Sequence, residues 1–449
     1  MNLSVILMMA YLFVLAVLYL VRPSAIMYVW SVTIFAFPTT RSLVGPVPVY
    51  WFDIATIAAL LVLVMNSRFK WPSGLIKWHW ILIGYTFMFG LVIPTLRYGP
   101  SVESVYLWIH TGLAWMSFPI GVFIMAYRGS GSYRKALGYG LLTVLASLAA
   151  AAVIQKGDPA GALAVNEFYR GDLKGMWTES LYGINRYSLR PNGPYGAATT
   201  FAGVSAIIAL CVFALRGVAS PKWAWLAVAL ASVVTVLSLT RHVVLAALIG
   251  VMVVVLTSHV RQKVKATMTA VIVILAVGVV GVGLGWEDRV ARTSGGVLTD
   301  VSISARLVEG PLRLAGLIAS EPIIFVTGVG LDVQKLASYG VDVGAAGSGF
   351  VSNGFLLPLY YLGLGGALLI LGFWVWVYQA AKRLPSPQRA VVLGLLAAAI
   401  VVIASDNYSF LEESAVSGLF LFAGFVVGRV YMLNSKNHQY NKLELSALR

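Results

Sequence analysis

Arg241 is the residue whose type and setting define a chemistry most narrowly. Within 223–258 it and His242 are the only charged or titratable side chains, and they sit in a very short turn, LTRHVV, between two apolar runs. A guanidinium carries a planar fork of donors that suits bidentate binding of an oxyanion. At a membrane boundary that anion is a lipid phosphate or diphosphate; the plainer alternative is an arginine snorkelling to bulk headgroups, with His242 supporting the turn. Arg186 and Arg190 lie in INRYSLRPNGPYGAATTFAG, ahead of another apolar run. Pro191, Gly193, Pro194 and Gly196 impose an irregular backbone there, and backbone amides beside an arginine at a helix start form an anion site. A rigid entry loop with no ligand is equally compatible with those turn residues. A third group, Arg306, Glu309 and Arg313, falls at i, i+3 and i+7 of SARLVEGPLRLAGLIAS, which places the three on one face of an amphipathic helix. Ser304 is its expected N-cap and Glu321-Pro322 its end. The face is either an anion-facing patch or a solvated salt-bridge stripe of little energetic weight.

Acid–base chemistry has fewer candidates. Glu309, Asp332 (directly after GVGL) and Asp342 (in YGVDVGAAGSG) could act as a base if they reach a substrate hydroxyl. Asp53 opens an apolar run, where capping is its expected role. His110, in YLWIHTGLAW, is expected to be a neutral imidazole bonded to a neighbouring helix, and His79 to belong to the core or the aromatic belt. Gly328 and Gly330 read as turn residues after a helix end. Cys211, the only cysteine, lies in AIIALCVFALR, so no intrachain disulfide can form. Walker A, GxSxG, HExxH and CxxC patterns are missing. No zinc cluster is therefore expected.

These residues must be positioned by a membrane scaffold. The 449 residues are 59% hydrophobic and 11% charged, with a mean hydropathy of +0.85, whereas a soluble domain is about one quarter charged. Apolar segments near 3–21, 25–39, 49–66, 78–97, 104–126, 136–154, 197–215, 223–239, 243–258, 266–285, 355–378, 390–404 and 415–433 approach the ~20 residues that cross a bilayer. They predict an all-α polytopic membrane protein of 12–14 transmembrane helices, with 25–39 and 390–404 the weakest segments. The alternating ten-residue strands of a membrane barrel are not apparent. The first segment lacks a basic n-region and a cleavage site, and so reads as a helix and not as a removable signal.

The +15 net charge then resolves by side. The connections RFKWPSGLIK, RGSGSYRK, RGVASPK, HVRQKVK and KRLPSPQR, with Arg22 and the tail from Arg429, hold 19 Lys/Arg and one acid, Glu444; 13 Lys/Arg and 16 Asp/Glu remain elsewhere. The positive-inside rule assigns the first set to the cytoplasm, so the basic balance signals topology, not nucleic acid. Two long outer segments follow, and long loops in a compact bundle usually carry function. The expected organisation is thus 1–154 N-terminal transmembrane helices, 155–196 first outer loop, 197–285 central helices, 286–354 second outer loop with the amphipathic helix, and 355–449 C-terminal helices and cytoplasmic tail.

Four stretches, in this order, resemble the O-antigen ligase/polymerase superfamily, the Wzy-type polysaccharide polymerases and WaaL-type ligases. RPNGPYG is similar to the family's arginine-containing entry to the transmembrane core, and SLTRHVVLAAL to its short Ser/Thr-Arg turn. SARLVEGPLRLAGLIASEPIIFVTGVGL resembles its loop helix, proline and GxG segment. SNGFLLPLYYLGLGG resembles its stretch ending in a Gly-rich run, with Ser352-Asn353 where ligases of the family carry a histidine and Tyr361 where an acidic residue is common. The resemblance implies a GT-C-like fold in a bacterial inner membrane and a glycosyltransferase active site facing the periplasm. The implied donor is an undecaprenyl-diphosphate-linked oligosaccharide, without metal or nucleotide. Carried over, Arg190 and Arg241 hold the diphosphate, with Arg186, Arg306, Arg313 and Asn353 as substrate-binding positions. The activity implied is polymerisation of lipid-linked repeats into O-antigen, capsule or exopolysaccharide; the alternatives are ligation of the glycan onto lipid A core, and transport of a lipid-linked sugar or polysaccharide. The implied partners are membrane lipid and chain-length regulators or other polysaccharide-assembly proteins.

Overall fold

The computed structural model describes residues 3–38, 41–44, 47–65, 73–127, 129–158, 191, 193–195, 198–215, 221–258, 308–331, 335, 338, 339, 354–405 and 413–447. Apolar helices occupy twelve of the thirteen predicted segments, including both weak ones; the remaining segment, 266–285, lies outside the described residues. In chain order they are α1 (Leu3–Val21), α2 (Ala25–Ala36), α3 (Trp51–Met65), α4 (Ser73–Phe87), α5 (Ile93–Tyr98), α6 (Val102–Trp115), α7 (Ser117–Ala126), α8 (Gly131–Gly157), α9 (Ala198–Ala214), α10 (Pro221–Leu237), α11 (Arg241–Thr257), the short loop helices α12 (Gly310–Ser320) and α13 (Ile323–Thr327), then α14 (Leu357–Lys382), α15 (Ser386–Ser405) and α16 (Glu413–Ala447). Among the described residues, five continuous stretches are long and apolar enough to cross a membrane: Lys77–Tyr98, Ser104–Ala126, Gly131–Gly157, Leu357–Lys382 and Ser414–Leu433. The protein is therefore helical and membrane-spanning in character.

One element departs from the all-α expectation. Strands β1 (Arg41–Val44) and β2 (Val47–Tyr50) pair antiparallel, Arg41 opposite Tyr50 and Val44 opposite Val47. Pro48 removes a helical donor and the valines favour extended backbone, so the chain leaves α2 at Ala36 and returns to helix only at Trp51.

Small residues let the helices meet closely, as they do where lipid gives no hydrophobic drive to association. A methyl on Gly121 of α7 would lie 2.5 Å from Leu421 O, and one on Gly424 of α16 would lie 2.3 Å from Phe118 O. Gly424 and Gly428 form a GxxxG pair on that contact. Helices α11 and α15 cross in the same way at Gly250 and Gly394. Side chains finish the helix ends: Ser101 accepts from Ser104 N, and the Arg134 guanidinium covers the last carbonyls of α7, donating to Met125 O at 2.8 Å.

Hydrogen bonds knit one end of the bundle together. Tyr195 Oη donates to Phe35 O, Ser414 Oγ to Ile34 O at 2.7 Å and Gly354 N to Ile403 O at 3.1 Å. The ends of α2 and α15, the starts of α14 and α16 and the approach to α9 all meet there.

Candidate functional site

Arg241 lies at this end, as the first residue of α11, where it is half-buried. The turn that delivers it is buried and tightly bonded: Ser238, Leu239 and Thr240 are all at most 1% exposed. Leu239 adopts φ +54°, a left-handed conformation that costs a branched side chain about 1 kcal/mol and is held there by its surroundings. Thr240 stands at the N-cap but does not cap with its hydroxyl. That oxygen instead lies 2.9 Å from Ser238 Oγ and 3.3 Å from Ala198 O, the first residue of α9. The Ser-Leu-Thr-Arg turn is thereby fastened to the helix that follows RPNGPYG.

That entry segment is equally fixed. Pro191, the residue after Arg190, is buried, and Gly193–Tyr195 form a buried 3-10 turn. Gly193 N donates to Gln155 Oε1 at 3.0 Å. Its φ of +52° and the Phe201 ring, 2.4 Å from where a methyl would stand, both require glycine. The two arginine-bearing motifs identified in the sequence thus converge at one end of the bundle. Arg186, Arg190, Arg306, Asp332, Asp342 and Asn353 themselves lie outside the described residues.

Glu309 and Arg313 sit at the start of the loop helix α12. As expected, α12 ends at Ser320 with Glu321 its C-cap, and Glu309 occupies the N-cap position without a side-chain cap bond. Arg313 is half-buried and acts electrostatically on Tyr360, whose hydroxyl donates to Gly310 O at 2.8 Å. Helix α12 packs on α13 and reaches α14, whereas α11 packs on α15 and α9.

Two clusters escaped sequence reasoning. Asp53, in the first turn of α3, also pairs with His110, its carboxylate oxygens 3.1 and 3.3 Å from Nδ1. Tyr50, Phe52 and Tyr106 place their rings 4.4–5.2 Å from the imidazole, so an acid and a base 57 positions apart share one aromatic box. His79 does follow expectation: it is fully buried and stacks on Phe118. The second cluster joins α5 to the loop helices. Arg97 pairs with Glu321, Tyr339 Oη donates to the other Glu321 oxygen at 2.8 Å, and Lys335 Nζ sits 4.3 Å over the Tyr98 ring. Burial, then the hydrogen bonds to Tyr98 and Glu321, push the Tyr339 phenol above its ordinary range, keeping it a donor to the carboxylate. Arg97 ended a long apolar run and carried no motif, so only its spatial partner marks it.

Among the described residues no group of three or more His, Cys, Asp or Glu could hold a metal ion. No known protein family and no curated protein matches this chain.

Proposed function

We propose that this protein is a GT-C-like membrane glycosyltransferase that polymerises undecaprenyl-diphosphate-linked oligosaccharide repeats at the outer face of a bacterial inner membrane. The observation that carries the reading is the Arg241 turn, a strained and buried backbone fastened to the RPNGPYG entry helix through Thr240 and Ala198. Such rigidity suits a preorganised cation, which needs no reorganisation when charge develops. In the reaction, a hydroxyl oxygen of the acceptor repeat attacks the anomeric carbon of the donor glycan. The bond from that carbon to the diphosphate oxygen breaks with inversion, and the electron pair leaves on the lipid diphosphate. Arg241 at the start of α11, with Arg190, binds that diphosphate. The hydroxyl proton passes to a carboxylate, for which Glu309, Asp332 and Asp342 are the candidates. Arg186, Arg306, Arg313 and Asn353 contact the glycan or its phosphates.

Purified protein supplied with lipid-linked repeats should yield a ladder of chain lengths. Arg241→Ala should slow elongation about 100-fold, the usual cost of removing one charge-stabilising donor, and Arg190→Ala with Arg241→Ala should abolish it. Full activity in the double variant removes the mechanism. A single product band on added lipid A core assigns a ligase instead, and movement of labelled lipid-linked sugar into sealed vesicles without elongation assigns a transporter.

A further inference from the structure

The segment after α12 pairs its backbone in an unusual way. Val329 N donates to Tyr360 O at 2.8 Å, Gly330 N to Tyr361 O at 2.9 Å and Leu331 N to Gly90 O at 2.9 Å. Each acceptor is a carbonyl that a helix has released. Gly363, at φ +68°, breaks α14 and frees the carbonyls one turn before it; the next, Leu362 O, accepts from Tyr85 Oη at 3.4 Å. Gly90 sits in the π turn Met88–Val92, and the residue four positions on, Pro94, has no N–H to return. Two helix irregularities and one irregular segment therefore complete each other's hydrogen bonding. Contact is close enough that a methyl on Gly328 would lie 2.3 Å from Tyr361 O, and one on Gly363 2.2 Å from Val326 O.

The depth of this pairing is also informative. Gly90 lies eight residues before Tyr98, the end of its helix, so the contact with Leu331 is about 12 Å below that end at about 1.5 Å per residue. It is thirteen residues from Lys77 at the other end, about 20 Å, inside a hydrocarbon core of about 30 Å. The chain starts down at Glu321, which is tied to Arg97, and is back at the level of Tyr98 by Lys335 and Tyr339. Tyrosines and long cationic side chains mark that level, the composition of a membrane interface. Below it the outward surface is apolar: Ile323 is 55% exposed, Val326 58% and Phe325 37%. Leu364 and Leu368 of α14 are likewise exposed, and Val326 touches that helix at Gly363.

We infer that residues 321–331 are the descending limb of a re-entrant membrane element whose Ile323, Phe325 and Val326 contact lipid acyl chains. Irregular backbone at such depth is tolerated only where protein satisfies it, and the released carbonyls of α14 and the π turn supply that satisfaction. Glu321, Arg97 and Tyr339 close the mouth of the element at the interface. Residues 321–331 of the second long loop are thus part of the membrane domain. This inference rests on backbone pairing and apolar exposure and does not depend on the glycosyltransferase reading.

Single-cysteine variants of the full chain, in a Cys211→Ala background and reconstituted into phosphatidylcholine–phosphatidylglycerol liposomes, test it. Nitroxides at Ile323→Cys and Val326→Cys should favour collision with oxygen over an aqueous nickel chelate, matching Leu368→Cys on α14. Ser338→Cys should show the reverse preference. A membrane-impermeant maleimide, applied to the same unlabelled variants with liposomes opened by freeze–thaw, should react at 323 and 326 at least 10-fold more slowly than at 338. Chelate access or maleimide rates at 323 and 326 equal to those at 338 overturn the inference, as does low access to both collision reagents, which assigns the face to protein. The maleimide arm adds no bulk, so it reads out even where a nitroxide perturbs folding.

Discussion

At the scale of single residues, the pairs that matter are those whose partners sequence spacing cannot show. Asp53 reads as a helix-start carboxylate and His110 as an isolated imidazole in an apolar run, yet they meet at 3.1 Å, with side-chain exposures of 13% and 2%. Replacing Asp53 by leucine takes away the carboxylate and leaves the imidazole within an aromatic box, which should cost about 3 kcal/mol. Asp53→Asn keeps an acceptor of the same shape and should cost about 1 kcal/mol. Unfolding of the two variants in detergent by denaturant, read against wild type, checks the order; equal losses remove the dyad as a stabilising unit. Arg241, by contrast, was legible from type and setting alone, because 36 residues in which only it and His242 are charged or titratable need a reason. The geometry adds what spacing could not, namely the strained Leu239 and the Thr240 link to Ala198.

At the scale of elements, helix positions were readable because each apolar run is long, and even the weak segments 25–39 and 390–404 are helices. Breaks within helices were not read, although their signals are present. Pro94 stands four residues after Gly90, and Gly363 interrupts LPLYYLGLGG; neither predicts a partner until Val329, Gly330 and Leu331 supply the donors. The hairpin at 41–50 was missed for a similar reason, since four-residue strands carry too short an alternation to register. Glycines separate the two kinds of position experimentally. Gly363→Ala puts a methyl 2.2 Å from Val326 O at positive φ and should cost 3 kcal/mol or more, approximately the sum of strain and overpacking. Gly316 faces open space within α12, so Gly316→Ala should stabilise by about 0.5–1 kcal/mol through helix propensity. Thermal unfolding followed by dye binding should therefore shift in opposite directions; a shared direction contradicts the close contact at Gly363.

At the scale of the whole molecule, charge predicts an orientation. The connections assigned to one side carry 19 Lys/Arg against a single acid, and the remainder carries 13 against 16. By the positive-inside rule, an asymmetry of this size predicts that the first set of connections stays cytoplasmic. The described cations sort by end of the bundle in a compatible way. Arg134 and Arg429 meet helix carbonyls at one end, while Arg241, Arg97 and the Glu321–Tyr339 cluster occupy ends that the charge rule assigns to the opposite side. Sidedness follows as a measurable outcome. Ser338 and Lys382 are both exposed, and Cys211 is fully buried, so background labelling is low. An impermeant maleimide added to intact spheroplasts should modify Ser338→Cys and should reach Lys382→Cys only after permeabilisation. Labelling of Lys382→Cys in intact spheroplasts inverts the molecule. That result would put Arg241 on the cytoplasmic side, where a transfer reaction at the outer face could not use it.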